Sequence, residues 1–299
     1  MLNIKNGFCG SIYFTPKEWN ETLMGKRLAS HPLVNYKRQT HAAPTPAAPW
    51  QKIEVGGDRR PLAGIKAVEL VRIIAGPVIG SILAAFGADV IRVDCKRTID
   101  LDLTVESDRA RLRKLLADAD VFVQGFRPSA IARKGFGVND LLKIAGNRVK
   151  GIVYVEENCY GPDGPYRERP GWQQIGDAAS GPSYVMGRSL GYDPGTSVLS
   201  PFPISDMSSG LIGALGSLMA LWDRARYGGS YRVTSSLVKV NVIALEPEVG
   251  LYSPAVVEKT NESGDISDQS NLLLRFCWWL WMGGRGCSRS ISGLGRRVY

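Results

Sequence analysis

The chain has 299 residues, of which 44% are hydrophobic and 22% are charged. These proportions are typical of folded soluble domains and exclude a disordered chain, a collagen-like repeat and a bundle of membrane-spanning helices. The formal net charge of +9 is typical of nucleic-acid-binding proteins. Residues 1–60 carry nine Lys/Arg and four Asp/Glu, residues 259–299 carry six and three, and residues 61–258 carry 22 and 21. Because the excess lies at the two ends, we expect no nucleic-acid partner.

These charge differences divide the chain into a basic flank with a Pro-rich linker (1–60), a folded domain (61–258) and an irregular tail (259–299). The five cysteines are far apart, and both histidines lie in the flank, so we expect neither a metal site nor a disulfide framework. No signal peptide is visible, and the apolar run at 272–282 is too short to cross a bilayer. We therefore expect a cytoplasmic protein without a membrane partner, with a mitochondrial or peroxisomal location left open.

The middle segment alternates between strand and helix patterns, which predicts an α/β fold with a mainly parallel sheet. The flank up to Trp50 is predicted to be polar and extended at its Pro-rich end. The dense Gly and Pro of residues 161–203 predict long surface loops. The predicted strands are 65–71, 88–93, 99–103, 121–123, 149–155 and 231–240, and the predicted helices are 77–86, 106–117, 128–134 and 206–222.

Two stretches of the middle segment have the layout of nucleotide sites. A strand, a glycine turn, a helix and a second strand ending at Asp94 resemble a dinucleotide site, but only Gly76 and Gly80 are present and no GxGxxG motif is found. An NAD-dependent oxidoreductase is therefore a weak alternative. The strand at 121–123 leads to Arg127 and then to Arg133, and guanidinium groups beyond the carboxyl end of a strand suit phosphate.

A third motif places Asp206 at the start of a helix rich in small residues. An aspartate at a helix start most often caps the helix, but its carboxylate can also act as a covalent nucleophile. The nucleophile-elbow motif GxSxG and the phosphate loop GxxxxGK[ST] are absent from the sequence. Since both histidines lie in the flank, we do not expect a histidine-based triad.

Several motifs, in this order, resemble the class III CoA-transferase family, which contains formyl-CoA and carnitine CoA-transferases and the α-methylacyl-CoA racemases. The resemblance covers residues 61 to about 245. It rests on PLAGIKAVEL at 61–70, AGP at 75–77, LAAFGADVIRVD at 83–94, KRTIDLDL at 96–103, ADVFV at 119–123 with FRP at 126–128, GPDGPY at 161–166, and DMSSG at 206–210.

This resemblance implies a Rossmann-like sheet with helices on both faces that binds coenzyme A. It also implies transfer of CoA from an acyl-CoA to a carboxylic acid acceptor through an aspartyl-CoA intermediate, with Asp206 as the nucleophile. No permanently bound cofactor is implied, and the family assembly implies a homodimer. The CoA-binding positions that it implies are Ile73 and Ile74 after the first strand, Leu101 near the adenine, Arg133 near the phosphates and Leu237 near the pantetheine arm.

The chain also departs from the family pattern. Asp94 is joined to Lys96 through Cys95 alone, where family members carry an extra stretch with a basic residue, so Lys96 or Arg97 is a weak candidate for that charge. On the resemblance, we expect the family's second, small domain to be largely missing from this sequence, which leaves a non-catalytic CoA-binding or partner-binding pseudo-enzyme as an alternative. An acyl-CoA racemase is less favoured, because its acid/base pair falls at Tyr160 and Gln173, which do not titrate usefully near neutral pH.

Overall fold

The computed structural model describes residues 9–49, 57–93, 101–146, 148–249 and 252–263. The strands of this part of the chain are β1 (Asn35–Arg38), β2 (Lys66–Leu70), β3 (Asp89–Arg92), β4 (Val121–Gln124), β5 (Val153–Asn158) and β6 (Tyr231–Ser236). Its helices are α1 (Pro16–Glu21), α2 (Leu23–Ala29), α3 (Ala75–Ala85), α4 (Glu106–Leu116), α5 (Pro128–Ala132), α6 (Val138–Gly146), α7 (Gln173–Ser180), α8 (Pro182–Ser189), α9 (Ile204–Tyr227), α10 (Leu237–Ala244) and α11 (Pro254–Ser263).

The six strands form one sheet in the order β1-β6-β5-β4-β2-β3. Strand β1 pairs antiparallel with β6, and all the other neighbours are parallel. The predicted α/β fold with a mainly parallel sheet is confirmed. From β2 the chain crosses to β3 on one side, and from β3 it returns to β4 on the other side of β2. In open α/β sheets a ligand crevice forms at the carboxyl ends of the strands on either side of such a reversal, so we expect the crevice of this sheet beside β2 and β4.

Helices cover both faces of the sheet, as predicted. Successive strand residues point to opposite faces, so Val123 and Phe122 belong to different apolar clusters. The cluster of Val123 contains Ile79 from α3 and Leu221 from α9, whereas the cluster of Phe122 contains residues of the helices on the opposite face. The latter residues are Leu112 and Leu116 from α4, Ile131 from α5 and Leu141 from α6.

Small residues let the long helix α9 lie directly on its neighbours. A Cβ atom at Gly210 would lie 2.7 Å from the carbonyl oxygen of Ala75, and one at Gly213 would lie 2.6 Å from Cδ1 of Ile79. By length and composition α9 is able to cross a bilayer, and half of its apolar stretch is buried within the protein. The small residues noted in the sequence of this helix are therefore the ones that allow its close packing.

The basic flank is not a simple linker. Thr15 and Glu18 form a capping box that starts α1, and Trp19 in α1 is fully buried. Strand β1 then forms an edge of the sheet, with the side chains of Lys37 and Arg38 exposed. Charged side chains are common on edge strands, because they discourage pairing with another chain. The sheet therefore includes a strand from the basic flank, and the change in net charge near residue 60 does not mark where the sheet begins in the sequence.

Two predicted strand segments are wrong for local reasons. Residues 101–103 form no strand, because the Asp102 carboxylate accepts hydrogen bonds from Thr104 N at 2.8 Å and Thr104 Oγ1 at 2.7 Å, which favours a turn. Residues 99 and 100 lie outside the described residues. Strand β6 ends at Ser236 instead of residue 240, because the Ser236 side chain accepts a hydrogen bond from Lys239 N and caps α10.

The Gly- and Pro-rich segment contains more regular structure than predicted. Helices α7 and α8 lie within it and are separated by Gly181, whose φ of 107° ends one helix, while Pro182 begins the next. The strand expected at 149–155 is observed four residues later at its start, as β5. Helix α11 extends to Ser263, into the segment predicted to be an irregular tail, and the rest of that tail lies outside the described residues.

Candidate active site

Two loops follow β2 and β4 at their carboxyl ends, on either side of the expected crevice. The loop after β2 contains Ile73, which is 74% exposed and has a φ of 65°. A β-branched residue rarely adopts this left-handed conformation. Ile74 follows as the N-cap residue of α3. The Arg72 guanidinium carbon lies 5.6 Å from the centre of the Phe126 ring in the loop after β4, so a cation–π contact joins the two loops.

The basic residues predicted near the phosphates lie beyond β4. Arg133 is exposed at the carboxyl end of α5, and Arg127 is exposed just before that helix. Leu101 is buried in the same apolar cluster as Ile131 of α5, so the structure brings the predicted adenine residue close to this short helix. Arg97 lies outside the described residues.

Leu237, the predicted pantetheine contact, is the first residue of α10. Its buried side chain belongs to an apolar cluster that also contains Ala75, the first residue of α3. Leu237 is thus linked to the start of α3 through this shared apolar cluster. Both leucines are covered by protein, unlike the exposed Ile73.

Asp206 lies in the first turn of α9 and is half-buried. Its backbone N–H donates to Gln173 Oε1 at 3.3 Å, and Gln173 Nε2 donates to the carbonyl oxygen of Phe202 at 2.7 Å. The Asp206 carboxylate has no hydrogen bond or ion pair within the described part of the chain, so it does not cap the helix. Burial, followed by the charge of Asp177, raises the pKa of Asp206 to about 6.

Asp177 is the buried, hydrogen-bonded neighbour of this carboxylate. Its Oδ1 accepts from Ser205 Oγ at 3.1 Å and from Asn241 Nδ2 at 2.8 Å. Burial raises its pKa, although these hydrogen bonds oppose the shift. Asp177 thus joins α7, α9 and α10 at one point and holds the start of α9 in place.

Sequence reasoning missed Glu157, a third carboxyl group in this region. It is the second-last residue of β5 and is 8% exposed. Its carboxyl group has no hydrogen bond or ion pair with the described residues. Its pKa is raised to about 8, mainly by burial and to a smaller extent by the charge of Asp206. Two adjacent glutamates at the end of a buried strand were the available signal, but the predicted strand ended at residue 155.

The positions of the racemase acid/base pair do not favour proton abstraction. Tyr160 is buried, and burial raises the pKa of its phenol above the ordinary value. Gln173 is an amide that already bonds Phe202 and Asp206. Neither residue exchanges protons near neutral pH.

The reversed sheet order and the half-buried aspartate at the start of a small-residue helix make the carboxyl edge of this α/β sheet the candidate ligand site. The sequence model described as CoA-transferase family III matches residues 62–100 and 94–272. The chain therefore belongs to CoA-transferase family III, which confirms the predicted family. The match continues to residue 272, so the predicted end of the resemblance near residue 245 is wrong.

Two relatives of this chain are named as CoA-transferring enzymes. The chain is 48% identical over 287 residues to an acyl-CoA transferase of Gibberella moniliformis, which covers 90% of this chain and 50% of that protein. It is 38% identical over 256 residues to an acetyl-coenzyme A transferase of Hypoxylon pulicicidum, which covers 79% of this chain and 42% of that protein. The chain thus spans about half the length of the curated relatives that it matches.

A solved structure shares the fold. The crystal structure of a CAIB/BAIF family protein from Brucella suis matches with a TM-score of 0.55 and 26% sequence identity, covering 63% of this chain and 56% of that chain.

Proposed function

We propose that this chain carries the CoA-binding crevice and the nucleophile of a CoA-transferase that moves CoA from an acyl-CoA to a carboxylic acid. The observation that carries the proposal is the Asp206 carboxylate. It is half-buried, has no partner within the described residues, and is largely ionised at pH 7 because its pKa is about 6. A poorly solvated carboxylate is a stronger nucleophile than one paired with a cation.

The proposed reaction begins when an Asp206 Oδ attacks the thioester carbonyl carbon. The C–S bond breaks, CoA leaves as a thiolate, and the acyl group forms a mixed anhydride with Asp206. The thiolate then attacks Cγ of Asp206, which releases the donor acid and leaves an aspartyl-CoA thioester. The carboxylate of the acceptor repeats the two steps in reverse, so no proton or external electron is required.

The crevice walls supply groups that suit CoA. Arg72, Arg127 and Arg133 are exposed cations at or next to the carboxyl edge of the sheet, where they are available to phosphate oxygens. Exposed Ile73 offers an apolar surface in the same loop as Arg72. Leu101 and Leu237 support α5 and α3 from beneath, so we propose that they shape the adenine and pantetheine regions through packing.

The homodimer also stays part of the proposal. Helix α9 has a row of partly exposed apolar side chains on the side away from the sheet. An exposed apolar row of this length is typical of a surface that another chain segment covers. The row consists of Met207, Leu211, Leu215, Met219 and Trp222.

The test is to trap the covalent intermediate. The purified chain is incubated with acetyl-CoA, chosen because a 38%-identical relative is named an acetyl-coenzyme A transferase. Hydroxylamine then converts any activated aspartate to a hydroxamate, which peptide mass spectrometry locates. We expect the modification at Asp206, and we expect Asp206→Asn to abolish it and to lower the transfer rate at least about 10³-fold.

Asp223→Asn is the matched control, because Asp223 lies on the same helix at its opposite end and bonds the Tyr36 hydroxyl at 3.1 Å. It should keep the modification at Asp206. A hydroxamate at another residue, with Asp206→Asn fully active, would remove the assignment. Calorimetric binding of CoA without any modification would favour the pseudo-enzyme instead.

A further inference from the structure

We propose that Glu157 is a positioning residue for Asp206: it holds a proton beside the nucleophile through the neutral pH range, and loss of that proton stops the attack of Asp206 on the thioester. This inference rests on the proposed function. It concerns a carboxyl group that the transferase chemistry itself does not require.

The position of Glu157 follows from the strand register. Glu157 pairs with Ser235 of β6, and its Oε2 lies 3.6 Å from the Cβ position of Gly125, just beyond β4. A Cβ atom at Gly213 of α9 would lie 3.0 Å from Ser235 Oγ, so α9 passes directly over this part of the sheet. Glu157 thus lies at the carboxyl end of β5, on the sheet face that α9 covers and next to the loop after β4.

No cation of the described ranges pairs with Glu157. Its neighbour Glu156 points to the opposite face, where Arg232 Nη2 binds its Oε1 at 2.9 Å. Glu157 has no such partner among the described residues although it is more than nine-tenths buried. Ser235 Oγ is also buried and without a hydrogen bond in the described part of the chain.

The charged and titratable groups near Glu157 are few, and those that act on it are negative. From α9, Asp206 contributes its charge directly. From α7, Asp177 raises the pKa of Asp206. Directly after β5, the buried Cys159 thiol has a pKa well above its ordinary value and stays neutral. On the loops and strands beside β5, Arg72 contacts the Phe126 ring and Arg232 is paired with Glu156.

The two carboxyl groups titrate in a fixed order. Burial and neighbouring negative charge raise the pKa of Asp206 to about 6 and the pKa of Glu157 to about 8, so Asp206 loses its proton first as pH rises. At pH 7 the pair therefore carries one negative charge, located on Asp206.

A second negative charge would oppose the chemistry. The attack of Asp206 places negative charge on the thioester oxygen and on the departing sulfur. Ionised Glu157 would repel both, and buried charges are screened less than exposed ones. Protonated Glu157 avoids this repulsion and keeps an O–H donor at the edge of the crevice.

The test is the pH dependence of adduct formation at Asp206, measured in single turnovers with acetyl-CoA between pH 5 and pH 9.5. We expect the wild-type rate to rise through about pH 6 and to fall through about pH 8, with about a tenfold loss one pH unit above that point. Glu157→Gln resembles the protonated acid, so it should keep the acid limb and lose the alkaline limb. Glu156→Gln should keep both limbs.

Two further outcomes separate this inference from the proposed function. Absence of any adduct in the wild type at every pH would remove the function itself. An adduct whose rate stays flat to pH 9.5, or an alkaline limb that persists in Glu157→Gln, would overturn the role of Glu157 alone. If Glu157→Gln fails to fold, the carboxyl C=O stretch in infrared titration of ¹³C-glutamate-labelled wild type decides: a buried acid that ionises near pH 8 supports the role, and its absence overturns it.

Discussion

The two edges of the sheet each bury a carboxyl group, but they treat it in opposite ways. At the amino edge, before β4, Asp120 is 1% exposed, and its Oδ1 binds Arg224 Nη2 at 2.9 Å and Lys150 Nζ at 3.0 Å. Its Oδ2 accepts from Lys66 N at 3.0 Å. At the carboxyl edge, Glu157 and Asp206 have neither cations nor hydrogen bonds within the described residues. The amino-edge carboxylate is therefore paired, whereas these two carboxyl groups at the carboxyl edge are not, although their neighbour Glu156 is paired with Arg232.

This contrast separates a structural carboxylate from candidate functional ones. A buried ion needs partners to be stable, so a fully partnered carboxylate is held fixed by its surroundings. An unpartnered buried carboxyl group instead changes its pKa, as Glu157 and Asp206 do. Perturbed carboxyl groups beside a crevice are typical of active sites.

Removing the amino-edge carboxylate should cost the most stability. Asp120→Ala leaves Arg224 buried without its partner, and we expect the free energy of unfolding to fall by about 3–5 kcal/mol in urea denaturation. Asp118→Ala is the control, because its exposed carboxylate pairs with Lys66 at the surface and should contribute less than about 1 kcal/mol. Equal losses for the two variants would contradict the contrast between the edges.

The sequence predicted the sheet well because each of its central strands is buried on both faces. Short apolar runs such as residues 121–123 indicate such strands directly, and Gly210 and Gly213 marked the close packing of α9. Strand β1 was not predicted, because an edge strand with exposed Lys37 and Arg38 has the composition of a solvated flank.

The candidate site was predicted only in part. Asp206 was found through its helix-start motif and the family resemblance. Glu157 was missed because its role depends on a partner in another element, 49 positions along the chain, which no local pattern reveals. The turn at Asp102 and the cap at Ser236 show the same limit, since local hydrogen bonds to these side chains overrode a strand pattern at each.

The unpaired carboxyl group of Glu157 should make the stability of the protein depend on pH. Folding raises the pKa of Glu157 from 4.5 to about 8, so the folded state holds a proton that the unfolded state has lost, and stability falls as pH rises between these values. A pKa shift of one unit changes the free energy of unfolding by about 1.4 kcal/mol. Water that enters around the ionised group reduces the loss of stability below the value that the full shift implies. As pH rises from 5 to 9, we expect the free energy of unfolding of Glu157→Gln to increase by roughly 2 kcal/mol relative to that of wild type.

Urea denaturation at several pH values measures this gain. Glu156→Gln is the matched control, because its carboxylate is paired with Arg232, and it should show no comparable gain at high pH. A Glu157→Gln curve parallel to that of wild type at every pH would mean that Glu157 ionises normally in the folded protein.

The smallest expected effect concerns the strained loop of the crevice. Ile73 is the residue other than glycine with a positive φ in the described part of the chain, and such a conformation costs about 1–2 kcal/mol. Ile73→Gly relieves this strain but loosens the unfolded chain, so we expect a net gain near 0.5 kcal/mol. Val149→Gly, at an equally exposed site without this conformation, should lose stability instead. If Ile73→Gly destabilises the protein as much as Val149→Gly does, the crevice stores no strain. If Ile73→Gly is more stable but binds CoA more weakly in calorimetry, the strain positions the loop for its ligand.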